Sequence, residues 1–109
     1  MSAKYLHVGI PVTNKKPGMS YSDDLKLWMT DPEAHDFKIE YLRFEEGTPF
    51  PEIMHKNPHI AYEVDDMDTY LAEADQIIFA PRAVSPEMTI AFIIKDDTIM
   101  ELITFRSSS

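Results

Sequence analysis

The stretch His7-Val8-Gly9-Ile10-Pro11-Val12 has a second version later in the chain, His59-Ile60-Ala61-Tyr62-Glu63-Val64. Each opens on histidine, alternates apolar positions and closes on valine. Working outward, Ile39-Glu40-Tyr41-Leu42-Arg43-Phe44 is matched by Met100-Glu101-Leu102-Ile103-Thr104-Phe105. Self-similarity of this kind marks a duplicated structural unit. The period-two alternation makes each of the four segments a strand. Each half therefore starts with a strand led by His and ends with a strand carrying Glu. The His-to-Glu spacing is 33 residues in the first half and 42 in the second. The longer spacing suits a β-α-β-β-β order. In the shorter one only Thr13 to Gly18 lies between the first strand and the next candidate, Met19 to Ser22. A crossover helix needs about a dozen residues or more, so the first half is expected to have lost its helix or reduced it to a turn.

The remaining elements follow from local signals. Ala3 to Val12 reads as a strand with Leu6, Val8, Ile10 and Val12 on one face and His7, Gly9 and Pro11 on the other. Pro17-Gly18 breaks it. Leu25 to Met29 is a short strand candidate and Phe37 to Phe44 a stronger one. Glu46 through Pro58 is expected to be loop, because its prolines have no place inside a paired strand. After the His59–Val64 strand, Asp65-Asp66-Met67-Asp68 offers N-caps for a short helix through Tyr70, Leu71 and Ala74. Gln76 to Ala80 reads as a strand stopped by Pro81. Met88 to Ile94 and Thr98 to Phe105 form a hairpin across Lys95-Asp96-Asp97. The tail from Arg106 to Ser109 is expected to fray.

Composition bounds the partners. A chain of 109 residues with 44% apolar and 27% charged residues reads as one globular domain. Ten basic against 19 acidic residues give a net charge of −9, which disfavours nucleic acid and anionic membrane as partners. The absence of cysteine excludes disulfides, thiolate nucleophiles and thiolate metal sites. No apolar run approaches the roughly 20 residues of a membrane span, and Met1-Ser2-Ala3-Lys4 is followed by no secretory h-region. A soluble, cytoplasmic protein is the expectation.

The two His-led strands, the Val64-Asp65-Asp66-Met67-Asp68 stretch and the terminal hairpin of Ile90-Ala91-Phe92-Ile93-Ile94 with Met100-Glu101-Leu102-Ile103 together resemble the vicinal oxygen chelate superfamily. That group includes glyoxalase I, bleomycin-resistance proteins and extradiol dioxygenases. The resemblance is good over Pro58 to Phe105 and thinner before it. It implies an α+β fold of two βαβββ modules forming a curled half-barrel sheet, with the first module lacking most of its helix. Module one would span about 1–48 and module two about 57–106 of a single domain. It also implies metal ligands on the first and last strand of each module, which here are His7, Glu40, His59 and Glu101.

The residue types agree with that carry-over. Two imidazoles and two carboxylates suit a divalent Zn, Ni, Co, Mn or Fe ion and leave about two octahedral positions for substrate oxygens. Such a site polarises a carbonyl, and an adjacent carboxylate can take the proton α to it. Glu101 is the preferred base and Glu40 the other candidate. With one carboxylate ligating, the set becomes two His and one carboxylate, which activates dioxygen on Fe(II). Taken singly, each residue also has an ordinary reading: a strand-end His as a hydrogen-bonding residue, a strand Glu on a solvated face. It is the joint pattern that points to metal.

Other candidates are weaker. His55 and His59 have His-x-x-x-His spacing, but Pro58 argues against a helix there, so His55 is expected in a loop. His35 is expected to be solvated. Trp28, Tyr62 and Phe92 are candidates for a pocket floor or for plain core, and Glu63 for support beside His59. Three scattered glycines build no phosphate loop, and Ser20 and Ser22 have no base at a diagnostic spacing. The expected function is a metal-dependent glyoxalase-like isomerase, epimerase or lyase acting on a small oxygenated metabolite. The alternatives are a binding protein of bleomycin-resistance type and an Fe(II) dioxygenase. Exposed sheet edges favour a homodimer.

Overall fold

The computed structural model describes residues 2–106; the last part of the tail, 107–109, lies outside them. The protein is α+β, with eight strands and two short α-helices among the described residues. By its internal packing the chain divides into two compact units, residues 7–59 and residues up to Leu6 together with those from Ile60 onward.

The first unit contains β1 (Ala3–Pro11, from His7 on), β2 (Ser20–Ser22), β3 (Leu27–Met29) and β4 (Ile39–Phe44), paired in the order β2-β3-β4-β1. β1 runs parallel to β4 with Gly9 opposite Glu40, and the other pairs are antiparallel. No helix intervenes between β1 and β2. The chain there turns at Gly18, whose φ of +83° suits a residue without Cβ. Lys15 and Lys16 place their ammonium groups over the Trp28 and Tyr41 rings, at 3.9 Å and 4.8 Å. Two cation–π contacts thus hold this short connecting segment against the sheet.

The second unit has β5 (His59–Val64, from Ile60 on), β6 (Gln76–Ala83), β7 (Met88–Lys95) and β8 (Thr98–Phe105), in the order β5-β8-β7-β6. β5 and β8 are parallel with Ala61 opposite Glu101. Gly9 with Glu40 and Ala61 with Glu101 therefore occupy equivalent register positions, which makes the sequence repeat a structural one. Here a crossover helix, α2 (Met67–Ala72), connects β5 to β6. Its N-cap, Asp66, accepts hydrogen bonds from the Asp68 backbone N–H at 3.1 Å and from the Thr69 hydroxyl at 2.6 Å. α2 packs Met67, Tyr70 and Leu71 onto a cluster of Val64, Ile93 and Leu102.

Two expectations fail. The Glu46–Pro58 segment is not all loop: α1 (Glu52–Lys56) forms within it, bracketed by Pro51 at its N-cap and by Asn57-Pro58. Proline is tolerated at a helix start, and the residue before a proline is where helices stop. His55 is thus helical, its ring stacked on Phe44 with centroids 4.4 Å apart. Pro81 does not end its strand either. It sits inside β6, the outermost strand of its unit, where the register slips between Phe79 and Arg82. An edge position and a bulge are where a residue without an N–H can remain in a sheet.

Candidate metal centre

On β1 the face that carries His7 is the more deeply buried one. His7 and Gly9 are buried while Leu6, Val8 and Ile10 are only half-buried. Parallel pairing to β4 places Glu40 beside them. His59, the first residue of β5, is almost fully enclosed at 1% exposure. Pro58 helps to place it, since the residue following α1 must leave the helical region before a proline.

These three side chains meet. One donor atom from each of His7, Glu40 and His59 lies within 4.8 Å of the others. His7 Nε2 and Glu40 Oε1 are 3.4 Å apart. The two imidazoles are inclined at 73° with centroids 6.1 Å apart. Metal–ligand bonds of about 2.0–2.1 Å at tetrahedral angles put neighbouring donors about 3.4 Å from each other. The His7–Glu40 pair already has that spacing. Two imidazoles and one carboxylate this close together are a donor set that could hold a metal ion, and their chemistry suits a first-row divalent cation.

Gly9 is the residue that sequence reasoning missed. A Cβ built at this position would lie 2.8 Å from His59 Nδ1 and closer still to Cε1 and Nε2. Three ring atoms at similar short range mean that the imidazole lies face-on over the glycine. The available signal was the rule that glycine inside a strand marks a close approach.

The other predicted residues divide as follows. Glu101 is buried on β8, opposite Ala61 of β5 and Phe92 of β7, in the second unit. Trp28 pairs with Arg43 on β4, so it shares the face opposite to Glu40. Its indole N–H donates to Glu45 at 2.8 Å. Tyr62 lines an apolar cavity of about 250 Å³ with Tyr70, Ile93, Met100 and Leu102, on the α2 side of β5 and β8. Neither aromatic lines the donor cluster, because each sits one residue out of phase with it. Phe92 is core, edge-on to Phe79. Glu63 is half-buried on β5, opposite Ile103. His35 is half-buried, its Nδ1 accepting from the Phe37 N–H at 3.0 Å, and His55 is held by Phe50 O at 3.1 Å.

No family model matches this sequence, and no curated protein does. Among solved structures, the chain is similar to a crystal structure of a hypothetical protein from Bacillus halodurans C-125. The two share 20% identity with a TM-score of 0.67 over 100% of this chain and 99% of the other. That likeness establishes a shared fold.

Proposed function

We propose that His7, Glu40 and His59 bind a divalent first-row metal and that the protein is a metal-dependent enzyme of the vicinal oxygen chelate type. Its substrate would be a small metabolite that chelates through adjacent oxygens. The single observation behind this reading is the meeting of three donors from β1, β4 and β5, the two histidines buried and Glu40 half-buried. When bound, the metal would polarise a substrate carbonyl and favour its enediolate. The two imidazoles would fix the cation's place, and burial would keep competing water from the reacting oxygens. Glu101 enters through the repeat: it stands to Ala61 as Glu40 stands to Gly9. On the family resemblance Glu101 is the proposed base and a further ligand, taking the proton α to the carbonyl. A homodimer and a cytoplasmic location belong to the same proposal.

The test is metal analysis after chelator treatment and reloading, for the wild type and for His59→Ala, followed by assays on α-hydroxy ketones, hemithioacetals and catechols. The expected result is about one ion per wild-type chain and at least a tenfold loss in the variant, the scale on which metal sites answer to their surroundings. Equal metal in both proteins would sink the proposal. Glu101→Gln should lose turnover; full activity in that variant would remove Glu101 as base.

The two-His-one-carboxylate composition favours a second reading, an Fe(II) site that activates dioxygen. Oxygen uptake by the Fe(II)-loaded protein with catechols, absent with Zn(II), would select it over isomerisation.

A further inference from the structure

We infer that Gly9 is a positioning residue for the proposed metal centre. Its missing side chain is the space in which the His59 imidazole lies, so this glycine sets how that ring meets His7 and Glu40. This rests on the metal reading above and deepens it. Gly9 lies two residues beyond His7 on the same face of the strand and directly opposite Glu40 across the parallel pair. It is thus the backbone point common to two of the donors. The third donor covers it: a Cβ on residue 9 would approach Cε1, Nε2 and Nδ1 of His59, the last at 2.8 Å. A real Cβ does not approach a non-bonded heavy atom closer than about 3.0 Å, so one partner must move.

The direction of that movement is constrained. β1 is held by its ladder to β4, with Val8, Gly9, Ile10 and Pro11 all in register. His59 is almost completely enclosed and cannot swing into solvent without breaking its packing. An alanine at position 9 therefore tilts or expels the ring, and the donor separation, now within 4.8 Å, opens. Glycine is otherwise a poor choice here, since a strand interior favours residues with a side chain. In the repeat the equivalent position is Ala61, so the fold itself accepts a Cβ at this register. The requirement at position 9 is local to His59.

The experiment uses Gly9→Ala, His59→Ala and the double variant of the full chain, with Co(II) as probe. Wild-type protein should bind Co(II) with d–d absorption. Gly9→Ala should bind it at least tenfold more weakly with an altered spectrum, as when partners that orient a ligand are changed. Without metal, Gly9→Ala should melt lower than wild type, whereas the same change made on top of His59→Ala should leave the melting temperature unchanged or raised. If Gly9→Ala alone does not fold, recovery of folding in the double variant gives the same support. A Co(II) affinity and spectrum identical to wild type in Gly9→Ala would overturn the inference. So would a loss of stability, or a failure to fold, that is equally large with and without the His59 ring. Should wild-type protein bind no Co(II), the metal reading falls, and the metal-free comparison still decides whether residue 9 holds the ring.

Discussion

Trp28 is the chain's single tryptophan, and its indole N–H donates to Glu45 Oε1 at 2.8 Å. Arg43 donates to the same oxygen at 2.6 Å. The Trp28 hydrogen bond, then Arg43 and the nearby Lys15 charge, hold the Glu45 carboxyl below the usual glutamate range. A lowered folded pKa means that the ionised form favours the native state. That contribution is present above the unfolded value and is lost as pH falls through the folded one. Tryptophan emission should therefore stay flat on acidification through the ordinary glutamate range of about 4.3 and change only below it. Glu45→Gln should abolish the step, and a midpoint at or above the ordinary value would contradict the assignment. The same scale shows how far residues speak for themselves. His7, Glu40 and His59 were legible because the repeat marks them and the period of two gives each a face. Gly9 was not, because its role depends on a ring fifty residues away in sequence. The alternation separated Leu6, Val8 and Ile10 from His7 and Gly9, but which of the two faces is the more deeply buried was not legible for the same reason: what covers a strand is not written in the strand.

At the scale of elements, the strands and the capped helix were readable because they obey local rules. β5 starts at the histidine of the repeat and ends at Val64 as expected, and α2 starts behind an aspartate cap. α1 was hidden because it is only five residues long and lies among prolines. Its support is not helix propensity, which is marginal at this length. It comes from tertiary burial of Met54, with Phe50 buried just ahead of it. β6 outlasted Pro81 because an outer strand tolerates a lost donor. The β7–β8 turn shows a compromise that can be measured. Asp96 and Asp97 both adopt positive φ, +52° and +61°. This is the two-residue hairpin geometry that favours glycine at its second position. Asp96 also donates its N–H to the Asp75 carboxylate at 3.0 Å, so it should be kept. Asp97→Gly should raise stability by about 0.5–1 kcal/mol through relief of the left-handed strain, read as a higher melting temperature. A lower one would mean that the aspartate side chain makes a contact worth more than that strain.

At the scale of the whole molecule, metal binding and folding must be linked. The three donors come from β1, β4 and β5, far apart along the chain. The unfolded protein cannot gather them, so an ion bound only to the native state stabilises it by mass action. At a free concentration a hundred times its Kd, the gain is about 2.7 kcal/mol. For a domain near 100 residues each kcal/mol moves Tm by about 4–8 °C, so the shift should exceed roughly 10 °C. A net charge of −9 complicates the readout. Any divalent cation relieves repulsion among surface carboxylates and raises Tm somewhat. The two effects separate by ligand preference, because imidazole donors select Co(II) or Zn(II) over the hard, oxygen-seeking Mg(II). Wild-type protein should therefore gain much more from Co(II) than from Mg(II) at equal ionic strength. In His59→Ala the two metals should act alike, leaving only the small surface component. If Co(II) kept its advantage in that variant, the binding donors would lie elsewhere in the chain, and the buried cluster of His7, Glu40 and His59 would be packing instead of chemistry.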